Sequence, residues 1–406
     1  MTTLPRGRYL DRATPPHIST LIVLTGLGAM SMNVFLPSLP GMAAYFSADY
    51  ALMQLSISLY LAVNAVLQLF IGPVSDRYGR RPVLLASLAL FCLATTGCIL
   101  APSAGIFLAF RMAQGVIVAG LVLGRAVVRD MVPQEQAASM IGYVTMGMAV
   151  VPMISPAVGG LLDQAFGWHS TFILLLVAGL VVLWLTWSDL GETAQNRATS
   201  LRDQFRQYPE LFASHRFWGY CLSATFASGA FFAFIGGAPF VGVQVYGLDS
   251  VQVGLCVGAP ALGYFSGNFL SGRYSIRMGV NWMITAGAAI STLGMVFPFI
   301  LNLIGAHGPT LFFGAVTLVG LGNGLLMPSA NAGMLSVRPH LAGSASGIGG
   351  AIMIFGGALL SALAGWMLGP GSTAMPLIVI MLVSSALALA AIFYTIRRER
   401  QISGGF

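Results

Sequence analysis

The chain has 406 residues, of which 57% are hydrophobic and 8% are charged, and its formal net charge is +7. Because a typical soluble domain carries about 25% charged residues, this composition excludes a soluble globule and indicates a chain that folds in lipid. The basic residues stand singly between apolar runs and form no single basic patch, so the positive charge does not indicate nucleic-acid binding.

Apolar segments long enough to cross a bilayer follow one another from Ile18 to Tyr394. A hydrocarbon core of about 30 Å takes roughly twenty helical residues, and backbone polar groups in lipid must be paired within the helix. We therefore predict an all-α polytopic membrane protein with twelve transmembrane helices. Spans 1 to 12 cover approximately residues 18–40, 51–73, 82–101, 103–125, 138–162, 170–189, 217–242, 250–271, 281–301, 309–334, 343–368 and 373–395.

The distribution of arginine predicts how the chain is oriented. The two ends of the chain and the segments after spans 2, 4, 6, 8 and 10 hold every arginine except Arg111, whereas the opposite loops hold none. Since cytoplasmic loops retain positive charge, we expect both termini in the cytoplasm. The expected parts are a cytoplasmic tail (1–17), a six-helix bundle (18–189), a cytoplasmic linker (190–216), a second six-helix bundle (217–395) and a cytoplasmic tail (396–406).

The two predicted bundles contain a similar short sequence at equivalent positions. Arg77-Tyr78-Gly79 follows span 2, and Arg277-Met278-Gly279 follows span 8. Many secondary transporters are built by internal duplication around a central binding site. We therefore expect two pseudo-symmetric halves around a central cavity.

Arg111 lies near the middle of span 4, where a cation costs from about 2.5 to more than 10 kcal/mol unless it meets water or a partner. Asn33 of span 1 lies at a similar depth. Two interpretations stay open. Arg111 is either a positive anchor in the cavity, to which a substrate or counter-ion brings negative charge, or a structural residue that donates to Asn33, Gln114 and backbone carbonyls.

No carboxylate falls in the membrane interior, because the one acid within the predicted spans, Asp189, is the last residue of span 6 at its cytoplasmic end. A proton switch needs a titratable group inside the membrane, and the pKa of this group must differ between the state open to one side and the state open to the other. Either a loop acid such as Asp163 folds inward, or the protein does not use carboxylate-based exchange.

Further candidates for a substrate cavity are polar, soft or aromatic side chains within the spans. An amide in hydrocarbon needs a partner or water, whereas Met and Phe offer large, adaptable surfaces. A single Met or Phe is more often packing or lipid-facing. The full candidate set is Asn33, Asn64, Arg111, Gln114, Tyr143, Met146, Phe231, Asn268, Asn323, Met327 and Asn331.

Several local patterns carry a resemblance to a known family. Residues 72–82 (GPVSDRYGRRP) resemble the signature loop of the major facilitator superfamily, 109–115 (AFRMAQG) its fourth-span arginine motif, and 152–160 (PMISPAVGG) its antiporter motif. Residues 35–40 (FLPSLP), 167–169 (GWH) and 238–240 (APF) are similar to the Bcr/CflA drug-resistance exporters. The resemblance implies a twelve-helix transporter of the bacterial inner membrane that exports drug-like molecules, usually in exchange for protons.

The first motif has a physical logic of its own. Gly72 and Gly79 are expected to allow close helix contact and a tight turn, with Arg77 and Arg80 near the lipid headgroups. We interpret Asp76 as a conformational latch that contacts helix ends across the gap between the bundles. An ordinary solvated turn that follows the positive-inside bias is the alternative.

In span 5, Pro152 and Pro156 are expected to loosen the helix, while Gly159 and Gly160 let neighbouring backbones approach. The resemblance implies that this segment seals the cavity against leaks. It also implies an Asp at position 33, and this chain departs there because it has Asn33.

The function expected from these observations is export of small amphipathic drug-like compounds by alternating access, with protons as the coupling ion that the resemblance implies. The alternative is a facilitator or importer of a small anionic metabolite, driven by potential or gradient and suggested by Arg111. An intramembrane enzyme is disfavoured because the His and acidic residues fall at span ends or in loops. We expect no cofactor, no metal and no nucleic-acid partner, and a monomer in the lipid bilayer.

Overall fold

The computed structural model describes residues 9–14, 16–131, 151–152, 154–193, 209–338 and 342–403. In this part of the chain, eleven helices are long and apolar enough to cross a membrane, and no strand occurs. The predicted all-α membrane fold is confirmed. Span 5 is helical over residues 154–166, and the candidates Tyr143 and Met146 lie outside the described residues.

Several spans are composed of more than one helical segment. Span 1 consists of the helix Ile18–Asn33, a 3-10 turn over Leu36–Ser38 and the helix Leu39–Tyr45. Span 4 consists of the helix Ala104–Ala113, a 3-10 turn over Gln114–Ile117 and the helix Val118–Met131. Span 7 consists of the helix His215–Phe240 and a π-helical turn over Val241–Val245, and span 8 consists of the helices Ser250–Gly258 and Pro260–Met278.

The other described spans are continuous helices. They are Tyr50–Tyr78 (span 2), Arg80–Ile99 (span 3), His169–Asp189 (span 6), Val280–Leu303 (span 9), Pro309–Val337 (span 10), Ala342–Met367 (span 11) and Met375–Ser403 (span 12).

The connection between spans 2 and 3 differs from the loop predicted over residues 72–82. Span 2 continues through Pro73 to Tyr78, and Gly79 alone separates it from span 3, with φ at 101°. A side chain other than glycine rarely adopts this region. Gly279 has φ at 83° and separates spans 8 and 9 in the same way. The repeated Arg-x-Gly sequence therefore ends two helices at equivalent positions.

The segment before span 1 is bound to the end of span 6. Asp189 is fully buried, and its carboxylate accepts hydrogen bonds from the backbone N–H of Leu10 at 2.8 Å, the backbone N–H of His17 at 2.9 Å and the hydroxyl of Thr20 at 2.7 Å. Three donors compensate a buried carboxylate, since hydrogen bonds to its charged form stabilise that form. Residues near the predicted tail 1–17 thus pack on the helix bundle.

For the description of contacts, we call residues 18–189 the first half and residues 215–403 the second half. Within the first half, span 1 packs on spans 4 and 6, and span 3 packs on span 6. Within the second half, span 10 packs on spans 8 and 9, and span 7 packs on spans 11 and 12. Between the halves, span 2 packs extensively against span 11.

Candidate functional site

Arg111 lies in the last turn of the first helical segment of span 4, and it is 1% exposed. Its Nε donates to the carbonyl of Ser56 at 3.2 Å, and Nη2 donates to the carbonyl of Ser31 at 2.9 Å. Nη1 donates to the Ser31 hydroxyl at 3.2 Å and to Oε1 of Gln114 at 2.7 Å. Four hydrogen bonds therefore hold the guanidinium between spans 1, 2 and 4.

Aromatic rings and a second amide complete the surroundings of Arg111. The guanidinium carbon lies 4.4 Å from the ring centroid of Phe35 and 4.0 Å from that of Tyr60. Cation–π attraction is strengthened where the cation is desolvated. Gln114 continues the network, because its amide Nε2 donates to the Thr95 hydroxyl of span 3 at 2.7 Å. The network thus connects four spans of the first half.

Asn33 does not make the contact with Arg111 that the sequence predicts. Its amide Nδ2 donates to the carbonyl of Ala29 at 2.7 Å, one turn earlier in its own helix. Ser31 takes the expected place instead, through both its hydroxyl and its carbonyl. Equal depth places two residues in one layer of the bundle, but the rotation of each helix decides which side chains meet.

No carboxylate of the described residues forms an ion pair with Arg111. The ion pairs in this part of the chain join Arg80 to Asp76, Arg80 to Asp130, Arg216 to Glu399 and Arg338 to Glu210. The cation is therefore satisfied by neutral acceptors and ring faces. In this conformation its donors point at protein atoms, and its small exposed fraction leaves little surface for a ligand.

The amides of spans 2 and 10 are buried with part of their hydrogen-bonding capacity unused. Among the described residues, Oδ1 of Asn64 and Oδ1 of Asn323 have no hydrogen-bond partner. Asn323 donates through Nδ2 to the carbonyl of Ala227 at 3.0 Å, while Asn64 lies beside Gly115, one helical turn from Arg111. An orphaned buried acceptor costs about 1–3 kcal/mol, so both oxygens are positioned to accept from a water or a ligand.

The remaining candidates differ in exposure. Along one face of span 10, Asn323 is buried, Met327 is half-buried and Asn331 is exposed. Phe231 of span 7 is half-buried beside Phe234. The exposure along span 10 thus increases towards the end of the molecule that carries the arginine-rich segments.

Asn268 of span 8 turns back onto its own helix, because its Nδ2 donates to the carbonyl of Tyr264 at 2.8 Å. The distribution of arginine along the sequence predicts Arg125 among the loop arginines. The structure places it inside the membrane-spanning helix Ala104–Val128. The predicted bounds of span 4, 103–125, already include this residue, and they could have indicated its place in the helix.

The residues of the signature motif (72–82) form a cluster inside the first half. Asp76, in the last turn of span 2, pairs with Arg80, the first residue of span 3, and Nε of Arg80 lies 3.2 Å from Oδ2 of Asp130 at the end of span 4. The carboxylate of Glu192 accepts from the backbone N–H of Arg80 at 2.8 Å, where the N-terminal dipole of span 3 favours negative charge.

Three members of this motif differ in their surroundings. A Cβ on Gly79 would meet Glu192, whereas a Cβ on Gly72 would meet nothing described within 4 Å. The close helix contact predicted at Gly72 is therefore absent from the described residues. The Arg77 guanidinium lies 5.5 Å from the ring centroid of Tyr78. The contacts of Asp76 described here stay within the first half and do not cross to the second.

Span 5 lies between span 1 and span 8, and its glycines have different neighbours. A Cβ on Gly159 would collide with the carbonyl of Val34, and one on Gly160 would collide with the carbonyl of Ser250. Gly254 of span 8 lies in the same way against the carbonyl of Pro156. Pro152 is helical and half-buried. Spans 5 and 8 thus approach at backbone distance across the two halves.

Side-chain hydrogen bonds cross between the halves at the same end of the molecule. Asp163 accepts from the Ser250 hydroxyl at 2.6 Å. The Tyr50 hydroxyl donates to the carbonyl of Gly236 at 2.8 Å. We call this end, which carries the loops 45–50, 99–104, 163–169, 245–250, 303–309 and 367–375, the arginine-poor end.

Gln54 makes a further contact between the halves, which the sequence analysis did not single out. Its Nε2 donates to the carbonyl and the hydroxyl of Ser361 in span 11, at 2.6 and 2.7 Å. The ion pairs described above, by contrast, lie towards the arginine-rich end and join no first-half residue to the second half.

The described residues contain no group of three or more His, Cys, Asp or Glu side chains that could hold a metal ion. The arrangement is one of buried amides, aromatic rings and the buried Arg111 between packed helices. Such a site can bind a compound reversibly and change its accessibility when the halves move.

Comparison with known proteins gives a consistent result. The sequence model of the Major Facilitator Superfamily matches residues 21–258 and 244–405. The chain is 31% identical to the uncharacterised transporter YdgK of Bacillus subtilis over 93% of this chain and 94% of that protein. It is 29% identical to the chloramphenicol resistance protein of Pseudomonas aeruginosa (94% and 90% covered). It is 26% identical to the bicyclomycin resistance protein homolog of Haemophilus influenzae (97% and 99% covered).

Among solved structures, the peptide transporter POT in complex with sulfate has a similar fold. The two share a TM-score of 0.77 and 12% sequence identity, with 98% of this chain and 97% of that chain covered. At this identity the similarity concerns the arrangement of the helices.

Proposed function

Because the chain belongs to the major facilitator superfamily, a family of membrane transporters, we propose that it exports small amphipathic drug-like compounds across the bacterial inner membrane by alternating access. Relatives that align along nearly their whole length are named for resistance to chloramphenicol and to bicyclomycin. The resemblance to the Bcr/CflA exporters rests on motifs spread over the same length. The full-length match to resistance proteins is the observation that carries the proposal.

The contacts between the halves support alternating access. Asp163 with Ser250, Gln54 with Ser361, and Tyr50 with Gly236 join the halves at the arginine-poor end. With the arginine-rich segments in the cytoplasm, as the positive-inside rule requires, both termini are cytoplasmic and this conformation is closed to the outside. Export then requires these contacts to break while the halves, each a six-helix bundle, rock about the central cavity.

For the coupling ion we propose protons, because the family resemblance implies an antiporter. Asp163 is the acid for which a contact between the halves is described, and its carboxylate accepts the Ser250 hydroxyl there. This acid lies at a contact that must break when the outer side opens, so coupling does not require an acid next to Arg111. We propose that the transporter works as a monomer.

Import of an anionic metabolite through Arg111 receives less support. That alternative depends on a cation that lacks a partner, whereas Arg111 donates four hydrogen bonds to protein acceptors. We therefore propose that Arg111 is a structural residue and that Asn64, Asn323, Met327 and Phe231 belong to the substrate cavity.

The export proposal is tested by drug accumulation in a bacterium that lacks its main efflux pumps. Cells that produce the protein should hold less radiolabelled chloramphenicol and bicyclomycin than cells with the empty vector. An uncoupler of the proton gradient should abolish the difference. Equal accumulation in both strains, with the protein present in the membrane, would contradict export of these compounds.

A further inference from the structure

Asp189, the last residue of span 6, binds the beginning of span 1. Its Oδ2 accepts from the backbone N–H of His17 at 2.9 Å and from the hydroxyl of Thr20 at 2.7 Å. His17 is the N-cap of span 1, and Thr20 lies in its first turn. A fully buried carboxylate needs such donors, since burial without them disfavours the charged form. The last span of the first half is thus tied to its first span.

Glu399, near the end of span 12, makes the corresponding contact in the second half. Nε of Arg216, in the first turn of span 7, donates to Oε1 of Glu399 at 2.8 Å. The hydroxyl of Tyr220, one turn later in span 7, lies 3.0 Å from the same oxygen. Hydrogen bonds between charged partners are shorter and stronger than neutral ones. The last span of the second half is therefore also tied to its first span.

A second similarity concerns the third span of each half. In the first half, Glu192 after span 6 accepts from the backbone N–H of Arg80 at the start of span 3, at 2.8 Å. In the second half, Oε2 of Glu399 accepts from Nδ2 of Asn281 at the start of span 9, at 2.6 Å. The two halves reproduce one pattern of connections with different residues. The pattern is thus a feature of the repeated fold and not of one local sequence.

The contacts of these acids stay within one half, and they lie at the arginine-rich end. At the arginine-poor end the polar contacts cross between the halves instead, as for Asp163 with Ser250 and for Tyr50 with Gly236. Alternating access requires the crossing contacts to break as the halves rock. The contacts inside each half have no such requirement, because their two partners move together.

We propose that Asp189 and Glu399 are equivalent tethers, one in each half, that hold the last span against the first span while the halves rock against each other. The proposal rests on alternating access and assigns to each half a contact that keeps it a rigid unit. Without its tether, a half would separate between its own spans, and less of its movement would open the cavity. Transport would then slow, whereas the cavity would keep its affinity for the substrate.

Spin labels can report the separation of the tethered spans in the full-length protein, after replacement of its four native cysteines. The first-half pair joins the exposed residues Val23 of span 1 and Trp184 of span 6. The second-half pair joins the exposed residues Ala213, just before span 7, and Arg397 of span 12. Electron paramagnetic resonance gives the distance distribution of each pair.

Replacement of each acid by its amide should affect only its own half. Asp189→Asn should broaden the distribution of the first-half pair by several ångströms, because the amide N–H groups face donors, and it should leave the second-half pair unchanged. Glu399→Gln should give the opposite result, because a neutral amide loses the charge-assisted bond from Arg216. Glu210→Gln is the matched control. It alters an exposed ion pair with Arg338, which contributes little, and both pairs should stay unchanged.

Two milder variants remove one donor and keep the acid. Thr20→Val and Tyr220→Phe should each broaden the pair of their own half, by less than the amide variants do. These substitutions preserve the size of the side chain, so they also provide the test if an amide variant fails to fold.

Transport supplies a readout that a loss of stability alone would not produce. Asp189→Asn and Glu399→Gln should lower the rate of chloramphenicol efflux severalfold and leave the chloramphenicol affinity of the purified protein unchanged. Narrow distributions in all four variants, broadening of both pairs by a single variant, or normal efflux with a broadened pair would overturn the proposal. If the unmodified protein exports no chloramphenicol, the proposed function fails, and the distances of the two pairs still decide whether the tethers exist.

Discussion

At the scale of single residues, Arg111 illustrates how a cation is accommodated in a membrane helix without an acid. Its four hydrogen bonds end on two backbone carbonyls, one hydroxyl and one amide oxygen, and two ring faces cover the guanidinium carbon. Each acceptor belongs to a group that has few other donors inside a bilayer. The arginine therefore stabilises the packing of spans 1, 2 and 4.

Replacement of Arg111 by Gln is expected to destabilise the protein. The acceptors on Ser31, Ser56 and Gln114 would lose a charged donor, and a hydrogen bond to a charged group contributes about 1.5–3 kcal/mol. The melting temperature of the purified variant, followed by tryptophan fluorescence, should fall well below that of the control Arg398→Gln, at an exposed arginine near the chain end. Unchanged thermal stability with a selective loss of chloramphenicol affinity would instead identify Arg111 as a substrate anchor.

Residue identity predicted the importance of Arg111, but not its partners. A charge in an apolar run is conspicuous, whereas Ser31 and Ser56 resemble the other small residues of membrane helices. Asn33 lies at a suitable depth but points along its own helix to Ala29. Arg125 stands at the end of a predicted span, and the distribution of arginine therefore predicts it in a loop, whereas the structure places it inside the helix Ala104–Val128.

At the scale of helices, the signature motif is a junction between spans 2 and 3 and not a loop. One residue, Gly79, reverses the chain with φ at 101°, and the carboxylate of Glu192 lies where a Cβ would project. Substitution at Gly79 therefore affects both the backbone conformation and the acceptor that caps span 3.

The two glycines of the motif are expected to respond differently to alanine. Gly79→Ala should destabilise the protein by about 1–3 kcal/mol, because a non-glycine residue is strained in this backbone region. Gly72→Ala should be neutral or slightly stabilising, since alanine is favoured over glycine within a helix and a Cβ there meets nothing described. Thermal melting of both variants gives the comparison. Equal destabilisation would show that Gly72 also makes a close contact.

Gly160→Val is expected to open the arginine-poor end. Its side chain would collide with the backbone of Ser250, and packed backbones cannot move apart by rotamer changes alone. The measurement is the distance between spin labels at the exposed residues Tyr45 and Ile304, in a protein whose four native cysteines are replaced. The distance should increase by several ångströms.

The matched control for this experiment is Gly314→Val, because a Cβ at Gly314 meets nothing within 4 Å. That variant should retain the distance of the unmodified protein. The same distance in Gly160→Val would mean that spans 5 and 8 do not determine closure at this end.

Helix positions could be predicted from hydrophobicity because each span must satisfy its own backbone in lipid. The ends were less predictable. Span 2 extends to Tyr78, since the charged last turn lies where headgroups and water tolerate it. The 3-10 turn at Gln114–Ile117 lies where Gly115 packs against Val63 and Asn64. A hydrophobicity pattern does not predict such a packing contact.

At the scale of the whole molecule, the two halves are joined by polar contacts at one end and contain their ion pairs at the other. The all-α fold was predictable from composition and span length. The partners across the halves were not, because a glycine such as Gly160 indicates a close approach but does not identify the backbone that it meets.

Active export is tested most directly by uptake of radiolabelled chloramphenicol into everted membrane vesicles with an imposed pH gradient, acidic inside. The account predicts that vesicles containing the protein accumulate the drug above the level of vesicles without it. Collapse of the gradient should release the accumulated drug. Accumulation that is independent of the gradient and equal with and without the protein, or concentrative uptake only in right-side-out vesicles, would contradict the account.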